Sequence, residues 1–461
     1  MRPIALTPHC AMPPAPPRDI LLIVADSLRY DSVHSGPIGL PYLERWSETW
    51  SAARAAGCWT LPATASIFTG LLPHEHGATA QSRRLRPDVP TLAERLKTVG
   101  YSTHQITANI ATTEIFGLER GFDEVVRMWM EVPPRHQRLH ALLVLLSKPR
   151  LRKKLFGADV LRGELARDVE SARIWLQSTA NDLFDRTRAT LEANRRHGKR
   201  SFVFMNLMET HFPYHVAPTF GLVSDGLFEN LRELSGLYHT VNMTWLTTGR
   251  SHIAPDVLDR LRQRQRTAWL HLAPALNAFI EEMHQQGTLV VFTADHGENF
   301  GEQGWLYHFG NVTDAGTRVP LFWLDAADPQ RRTHTAPVSA RGLHEAILRA
   351  AGLLDRPDPL REAPEESDSV LEAFWYNNLG RTLPAYRKNQ IAFVLDGQRY
   401  LLRGDDWLMA PVTVGTGPEP AFAPLPVGSE PLEDLALPVA TRARLRGILA
   451  AQRRFAATLP S

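Results

Sequence analysis

The sequence is poor in cysteine: Cys10 and Cys58 are the only two among 461 residues. That excludes a disulfide framework and a cysteine-rich zinc module. Nor does one sign of charge dominate. Lys and Arg total 51 against 49 Asp and Glu, a formal charge of +2, so nucleic acid is not an expected partner, since phosphate-tracking proteins carry a clear basic surplus. Long apolar runs are also missing. Ile20 to Ala25 and Ala141 to Leu146 are the longest, far short of the ~20 residues that cross a bilayer. The opening stretch has prolines where a secretory signal needs an apolar segment. The expectation is a cytoplasmic protein without membrane insertion. What is present, 44% apolar and 22% charged residues, is globular in kind, with length for one large domain or two to three smaller ones.

Residues 1–18 read as a loose, Pro-rich leader. Asp19 to Asp26 is then a continuous apolar run closed by a carboxylate, the pattern of a strand buried on both faces of a parallel sheet. Thr91 and Glu94 have capping-box spacing ahead of Leu92, Leu96 and Val99, and Gly100 ends that helix. A strand over Tyr101 to Ala108 follows. Two more apolar runs end in polar clusters: Ser201 to Leu207 before Glu209, Thr210 and His211, and Thr288 to Thr293 before Asp295 and His296. Helical patterns separate them, notably Arg262 to Gln285. Strands alternating with helices predict an open, mostly parallel α/β sheet, in which ligands bind beyond the carboxyl ends of the strands. All three polar clusters fall there.

Residues 130–200 and 216–262 read as helical, Arg-rich insertions, with the densest basic run at Pro149 to Lys154. That run suits either an anionic ligand or a solvated helix face. Beyond residue 356 the texture changes. Asp396-Gly397 between apolar runs is a hairpin signal, and Leu445, Ile448, Leu449 and Phe455 have helical spacing. Residues 19–355 are therefore expected to form the main domain and 356–461 a small antiparallel subdomain packed on it.

Asp26, at the end of a buried strand, calls for a positive partner, either Arg29 or a metal ion. Asp295 and His296 offer a carboxylate and an imidazole side by side, a donor set suited to zinc or manganese and less to calcium. Taken alone, such a dipeptide equally fits a capped turn. Thr60, just before Leu61-Pro62 and an apolar helical stretch, sits where a helix N-terminus attracts an anion; an ordinary N-cap threonine is the plainer reading of that segment.

In combination these segments are specific. Asp26-Ser-Leu-Arg-Tyr-Asp31, Trp59-Thr-Leu-Pro62 with Thr69-Gly70-Leu-Leu-Pro-His-Glu-His-Gly77, Glu209-Thr-His-Phe-Pro-Tyr214 and Thr293-Ala-Asp-His-Gly-Glu298 resemble, in order, the sulfatase branch of the alkaline phosphatase superfamily. Thr91-Leu-Ala-Glu, Arg120-Gly-Phe-Asp123, Tyr307-His308 and Arg318-Val-Pro-Leu321 extend the resemblance over roughly residues 19–325. It implies a three-layer α/β/α sandwich with a mostly parallel central sheet, and a small C-terminal antiparallel subdomain.

The sequence departs from true sulfatases at the nucleophile. Their Cys-x-Pro-Ser-Arg motif, whose first residue becomes formylglycine, aligns with Thr60-Leu-Pro62-Ala-Thr64. Thr60 cannot give an aldehyde, and Cys58 is two positions out of register. The pattern is closer to the catalytic domains of phosphoethanolamine and glycerol-phosphate transferases and to superfamily phosphodiesterases. That resemblance implies a metal shell of Asp26, Thr60, Asp295 and His296 holding one or two divalent ions, zinc or manganese. It also places His211 and His308 at the phosphoryl oxygens or leaving group. Asn109, Arg29 and Tyr214 are candidate substrate contacts.

The implied activity is metal-dependent cleavage of a small anionic phosphoester through a covalent Thr60 intermediate. The alternatives are transfer to an acceptor alcohol, hydrolysis of a sulfate or phosphonate ester, and a silent binding protein on the same scaffold. His74-Glu75-His76 falls on the loop after the Thr60 helix and is not assigned as a ligand set. Asp31 is expected to pair with Arg29, Glu298 to sit in a turn, and Trp59 and Arg318 to serve packing.

Overall fold

The computed structural model describes residues 18–35, 39–131, 180–212, 214, 253–308, 310–328, 331–361 and 367–369, most of 390–424, 439–458 and a few isolated positions. The leader, the basic run at 149–154 and most of the two segments read as insertions lie outside the described residues.

The core is an eight-stranded sheet. In spatial order its strands are Arg332–His334, Glu48–Trp50, Leu321–Leu324, Leu289–Thr293, Ile20–Ala25, Arg200–Leu207, Tyr101–Thr107 and Glu124–Arg127. Only Leu321–Leu324 runs antiparallel to its neighbours. Ile20–Ala25 lies at the centre, Ile20 opposite both Phe202 and Leu289, and each of its six residues is fully buried. A strand covered on both faces has no solvent side to alternate toward, which is why its sequence reads as an unbroken apolar run.

Helices form a layer on each face. Thr60–Thr69, Leu92–Lys97 and Leu343–Ala350 pack together on one, with Phe68 edge-on to Phe204 of the sheet. Ala180–Arg196, Pro255–Gln285 and Pro41–Trp46 make the other, with Phe184 stacked on Phe279 and Trp269 on Phe292. Ala180–Arg196 thus belongs to the main core rather than to an insertion. The long helix starts earlier than its hydrophobic pattern suggests because Pro255 occupies its first turn, where a missing N–H costs nothing. The capping box is formed: Thr91 Oγ1 accepts from the Glu94 N–H, and Glu94 accepts from the Thr91 N–H.

Near the C-terminus a five-stranded antiparallel sheet includes the expected hairpin, Gln390–Leu395 against Gln398–Arg403, with Gly397 at φ 71°. Leu445 and Leu449 of the helix Val439–Thr458 pack with Ile391, Phe393 and Leu72. A second apolar contact joins Ala392 and Leu401 to Cys58 and Val312. Asp314 adds a buried ionic tie, 3.0 Å from Arg54 and 3.3 Å from Arg399. The small sheet therefore braces the segment leading into Thr60 from behind.

Candidate active site

Four strand ends supply the site. Asp26 follows Ile20–Ala25, Asn109 follows Tyr101–Thr107, His211 follows Arg200–Leu207, and Asp295 with His296 follows Leu289–Thr293. Parallel strands leave their carboxyl ends on one edge, so residues far apart in sequence converge there. Thr60 arrives from the side as the first residue of the helix Thr60–Thr69, behind Trp59 in extended backbone. Its hydroxyl donates to Asp26 Oδ2 at 3.2 Å, and Asn109 Nδ2 donates to the same oxygen at 2.6 Å and to Thr60 Oγ1 at 3.3 Å. The amino end of this helix faces the cluster, a setting whose dipole favours anions.

Asp26, Asp295 and His296 are fully buried and place ligand atoms within 4.8 Å of one another. His296 Nε2 lies 3.6 Å from Asp26 Oδ1 and 3.4 Å from Asp295 Oδ2. Donors ~2.1 Å from one tetrahedral cation stand ~3.4 Å apart, so the spacing fits a single ion. The tautomer agrees: His296 Nδ1–H donates to the Gly297 carbonyl at 2.8 Å, leaving the Nε2 lone pair inward. Asp295 Oδ2 and His296 Nε2 are buried without a hydrogen-bond partner, an expensive state that a cation would relieve. Burial and the Asp26 charge push the Asp295 carboxyl well above its usual range. Burial opposes ionisation of Asp26 too, but His211, His296, His308 and the Asn109 bond together hold it low. Among the described residues this is the one group of three such ligands held so close together.

The backbone is bent to make this geometry. Ser27 sits in the left-handed region at φ 59°; its N–H donates to Asp295 Oδ1 at 3.3 Å and its hydroxyl to Asp26 Oδ1 at 3.1 Å. Such strain clusters at functional sites. Thr210 Oγ1 donates to the Asp26 carbonyl and Gln265 Nε2 to the Ser27 carbonyl, each at 2.7 Å. Gly297 is required sterically, since a Cβ there would lie 2.1 Å from the Ala315 carbonyl oxygen.

His211 and His308 border the cluster. His211 Nε2 is 4.0 Å from Asp26 Oδ1, and its ring centroid is 5.2 Å from that of His308, which is in turn 4.6 Å from His296. His211 Nδ1–H donates to the Phe212 carbonyl at 2.6 Å, turning Nε2 toward Asp26. Two expected substrate contacts are otherwise engaged. Arg29 Nε and Nη2 bind both oxygens of Asp31, as expected for that pair, while Nη1 reaches Glu302 and the Glu298 carbonyl, all at 2.7 Å. Tyr214 is fully buried and donates to Glu298 Oε2 at 3.2 Å. Both support the site's wall; neither has its polar end free for substrate.

The residue that sequence reasoning missed is Glu298. It was expected merely to occupy a turn, but its buried carboxylate takes His308 Nδ1 at 3.0 Å. Its place directly after Asp-His-Gly was the available signal. His76 is structural: its Nδ1 accepts from the Ala78 N–H, and Nε2 meets Ser66 Oγ, each at 3.0 Å. Arg318 lies over the Tyr30 ring and donates to the Ser51 carbonyl. Cys58 is buried among apolar residues that push its thiol up to about 11, which removes it as a nucleophile.

The sequence profile described as Sulfatase matches residues 18–353. Among curated proteins, the low-salt glycan biosynthesis sulfotransferase Agl7 of Haloferax volcanii is 33% identical over 112 residues, 22% of this chain and 28% of that protein. This local match therefore spans little more than a quarter of that relative. A similar solved structure is the phosphonate monoester hydrolase SpPMH from Silicibacter pomeroyi, with TM-score 0.59 and 18% identity over 86% of this chain and 89% of that one. Another is the phosphonate monoester hydrolase of Agrobacterium radiobacter, with TM-score 0.55 and 16% identity over 95% and 96% of the two chains. With its profile matched over residues 18–353, the chain belongs to the sulfatase family.

Proposed function

We propose that the enzyme cleaves a phosphoester by attack of the Thr60 hydroxyl on phosphorus, giving a phosphothreonine that water resolves. One observation carries this reading: Thr60 Oγ1 lies 3.2 Å from Asp26 Oδ2, at a helix N-terminus over the carboxyl edge of the sheet. The Thr60 β-carbon already bears a methyl group, so the hydroxyl itself is the covalent group. Asp26, Thr60, Asp295 and His296 would hold a divalent cation, with zinc or manganese favoured by the mixed carboxylate and imidazole donors. When bound, that cation supplies positive charge that lowers the pKa of a hydroxyl and neutralises a tetrahedral anion.

The remaining work falls to the chain. Asp26 accepts the Thr60 hydroxyl's hydrogen bond and fixes its rotamer. Asn109 Nδ2 donates to both Asp26 Oδ2 and Thr60 Oγ1 and so orients the nucleophile. The positive end of the Thr60–Thr69 helix dipole adds to the field at the site. As it attacks, the Thr60 hydroxyl passes its proton to Asp26 and takes it back when the intermediate is resolved, while His211 or His308 delivers a proton to the departing oxygen and recovers it from the resolving water. An acceptor alcohol in place of water makes the same scheme a transferase. The Sulfatase profile supports a sulfate ester as the second reading, and the likeness to phosphonate monoester hydrolases adds a phosphonate ester. A small anionic ester as partner and a cytoplasmic setting complete the proposal.

The test is a chromogenic panel of phosphate mono- and diesters, phosphonate and sulfate esters, run with zinc- or manganese-loaded protein. Turnover of a phosphorus ester is expected; activity confined to sulfate esters would overturn the preference.

A further inference from the structure

We propose that Glu298 is a positioning residue for His308, with Tyr214 as its anchor. The inference rests on the reading of His308 as the group that protonates the leaving oxygen, and it names what makes that histidine competent. Glu298 is fully buried, and each end of it is held. Its Oε1 takes His308 Nδ1 at 3.0 Å, and its Oε2 accepts the Tyr214 hydroxyl at 3.2 Å. Its carbonyl accepts Arg29 Nη1 at 2.7 Å, and its N–H donates to the Ala315 carbonyl at 2.9 Å. Two residues of this wall, Tyr214 at φ 58° and Tyr307 at φ 57°, occupy left-handed backbone, strain that the surrounding packing must override.

The chemical consequence lies in which ring nitrogen serves the reaction. Glu298 engages Nδ1, so Nε2 is the ring atom turned to that task. The ring is also fixed in place, 4.6 Å from His296 and 5.2 Å from His211 between centroids, on the border of the metal-ligand cluster. With the ring held from behind at Nδ1, Nε2 can hand a proton to the departing oxygen without the ring turning. A carboxyl group behind a histidine commonly serves in this way, orienting the ring.

The test compares two esters of the same acid, one with a good leaving group such as 4-nitrophenolate and one with an alkyl alcohol that cannot depart unprotonated. Glu298→Gln keeps the side chain's shape and removes its charge. It should lower kcat on the alkyl ester by about 10- to 100-fold while changing the 4-nitrophenyl ester by less than about threefold. Tyr214→Phe, which keeps the ring and removes one hydrogen bond, should shift the same ratio in the same direction by less, and it decides the matter if Glu298→Gln does not fold. Equal losses on both esters, or none on either, would overturn the role of Glu298. His308→Ala separates the two levels. If it shows no leaving-group selectivity, the reading of His308 fails; if it does while Glu298→Gln and Tyr214→Phe do not, only the positioning role fails.

Discussion

Replacing Asp295 by Asn should stabilise the cation-free protein and forfeit that advantage when a cation is bound. In the cation-free protein, Asp26 and Asp295 bring ligand oxygens within 4.8 Å of each other out of reach of water. At such a separation two unit charges repel by about 3.5 kcal/mol with an effective dielectric of ~20. Burial and that repulsion raise the Asp295 pKa, so the folded protein binds more protons than the unfolded chain. Stability of the cation-free enzyme must then fall as pH rises from about 4 through the raised value. Asp295→Asn has no charge to confine. It should lack that decline and gain up to about 3 kcal/mol at neutral pH, the upper figure applying if wild type stays fully ionised. With cation at a hundredfold excess over its dissociation constant, binding adds about 2.7 kcal/mol to wild type, and the variant, one donor short, forfeits most of it. Thermal melting after chelation should place the variant above wild type by a few degrees, and excess zinc or manganese should close or reverse the gap. A variant that melts below wild type by the same margin in both conditions would refute the reasoning.

Two further outcomes follow from the same structure. Burial holds His76 down to about 3; this folded value lies below the unfolded one, so stability is lost as pH falls from about 6.5, by about 1.4 kcal/mol per unit. Urea unfolding between pH 6.5 and 4.5 should show a shallower decline for His76→Gln by about that amount per unit, and an unchanged slope would contradict the assignment. Arg29→Ala strips Asp31, Glu302 and the Glu298 carbonyl of a shared donor. Because Arg262 still meets Glu302, the expected loss is about 3 kcal/mol, at the low end for a broken buried pair, whereas a role in binding substrate would instead raise KM in a protein of normal stability.

Much of this was legible in the sequence because burial on both faces leaves a recognisable trace. The runs Asp19 to Asp26, Ser201 to Leu207 and Thr288 to Thr293 read as buried strands, and the carboxylates and histidines at their ends could be placed on one edge by the parallel-sheet rule alone. Thr60 was locatable from Pro62 and the apolar helix behind it. Helix starts were less legible: Pro255 begins its helix seven residues before Arg262, where the hydrophobic pattern takes hold. Ala180–Arg196 belongs to the core because Leu183, Phe184 and Leu191 face the sheet, a stripe hidden among charged neighbours. Arg29 and Tyr214 have side chains suited to a substrate, and only the fold shows their polar ends engaged by Asp31, Glu302 and Glu298. The role of Glu298 depends on a contact with His308 ten residues away across a tight turn, a pairing that no periodicity encodes.

The central claim is that Thr60 becomes the covalent group, and rapid-quench mass spectrometry of the cation-loaded enzyme with a phosphorus ester tests it most directly. The account predicts a peptide carrying Thr60 heavier by about 80 Da, the mass of a phosphoryl group, and a Thr60→Ala protein that folds, keeps most of its metal, and neither gains that mass nor turns over. A Thr60→Ala enzyme working at the wild-type rate, with the wild-type peptide unmodified at every quench time, would contradict it.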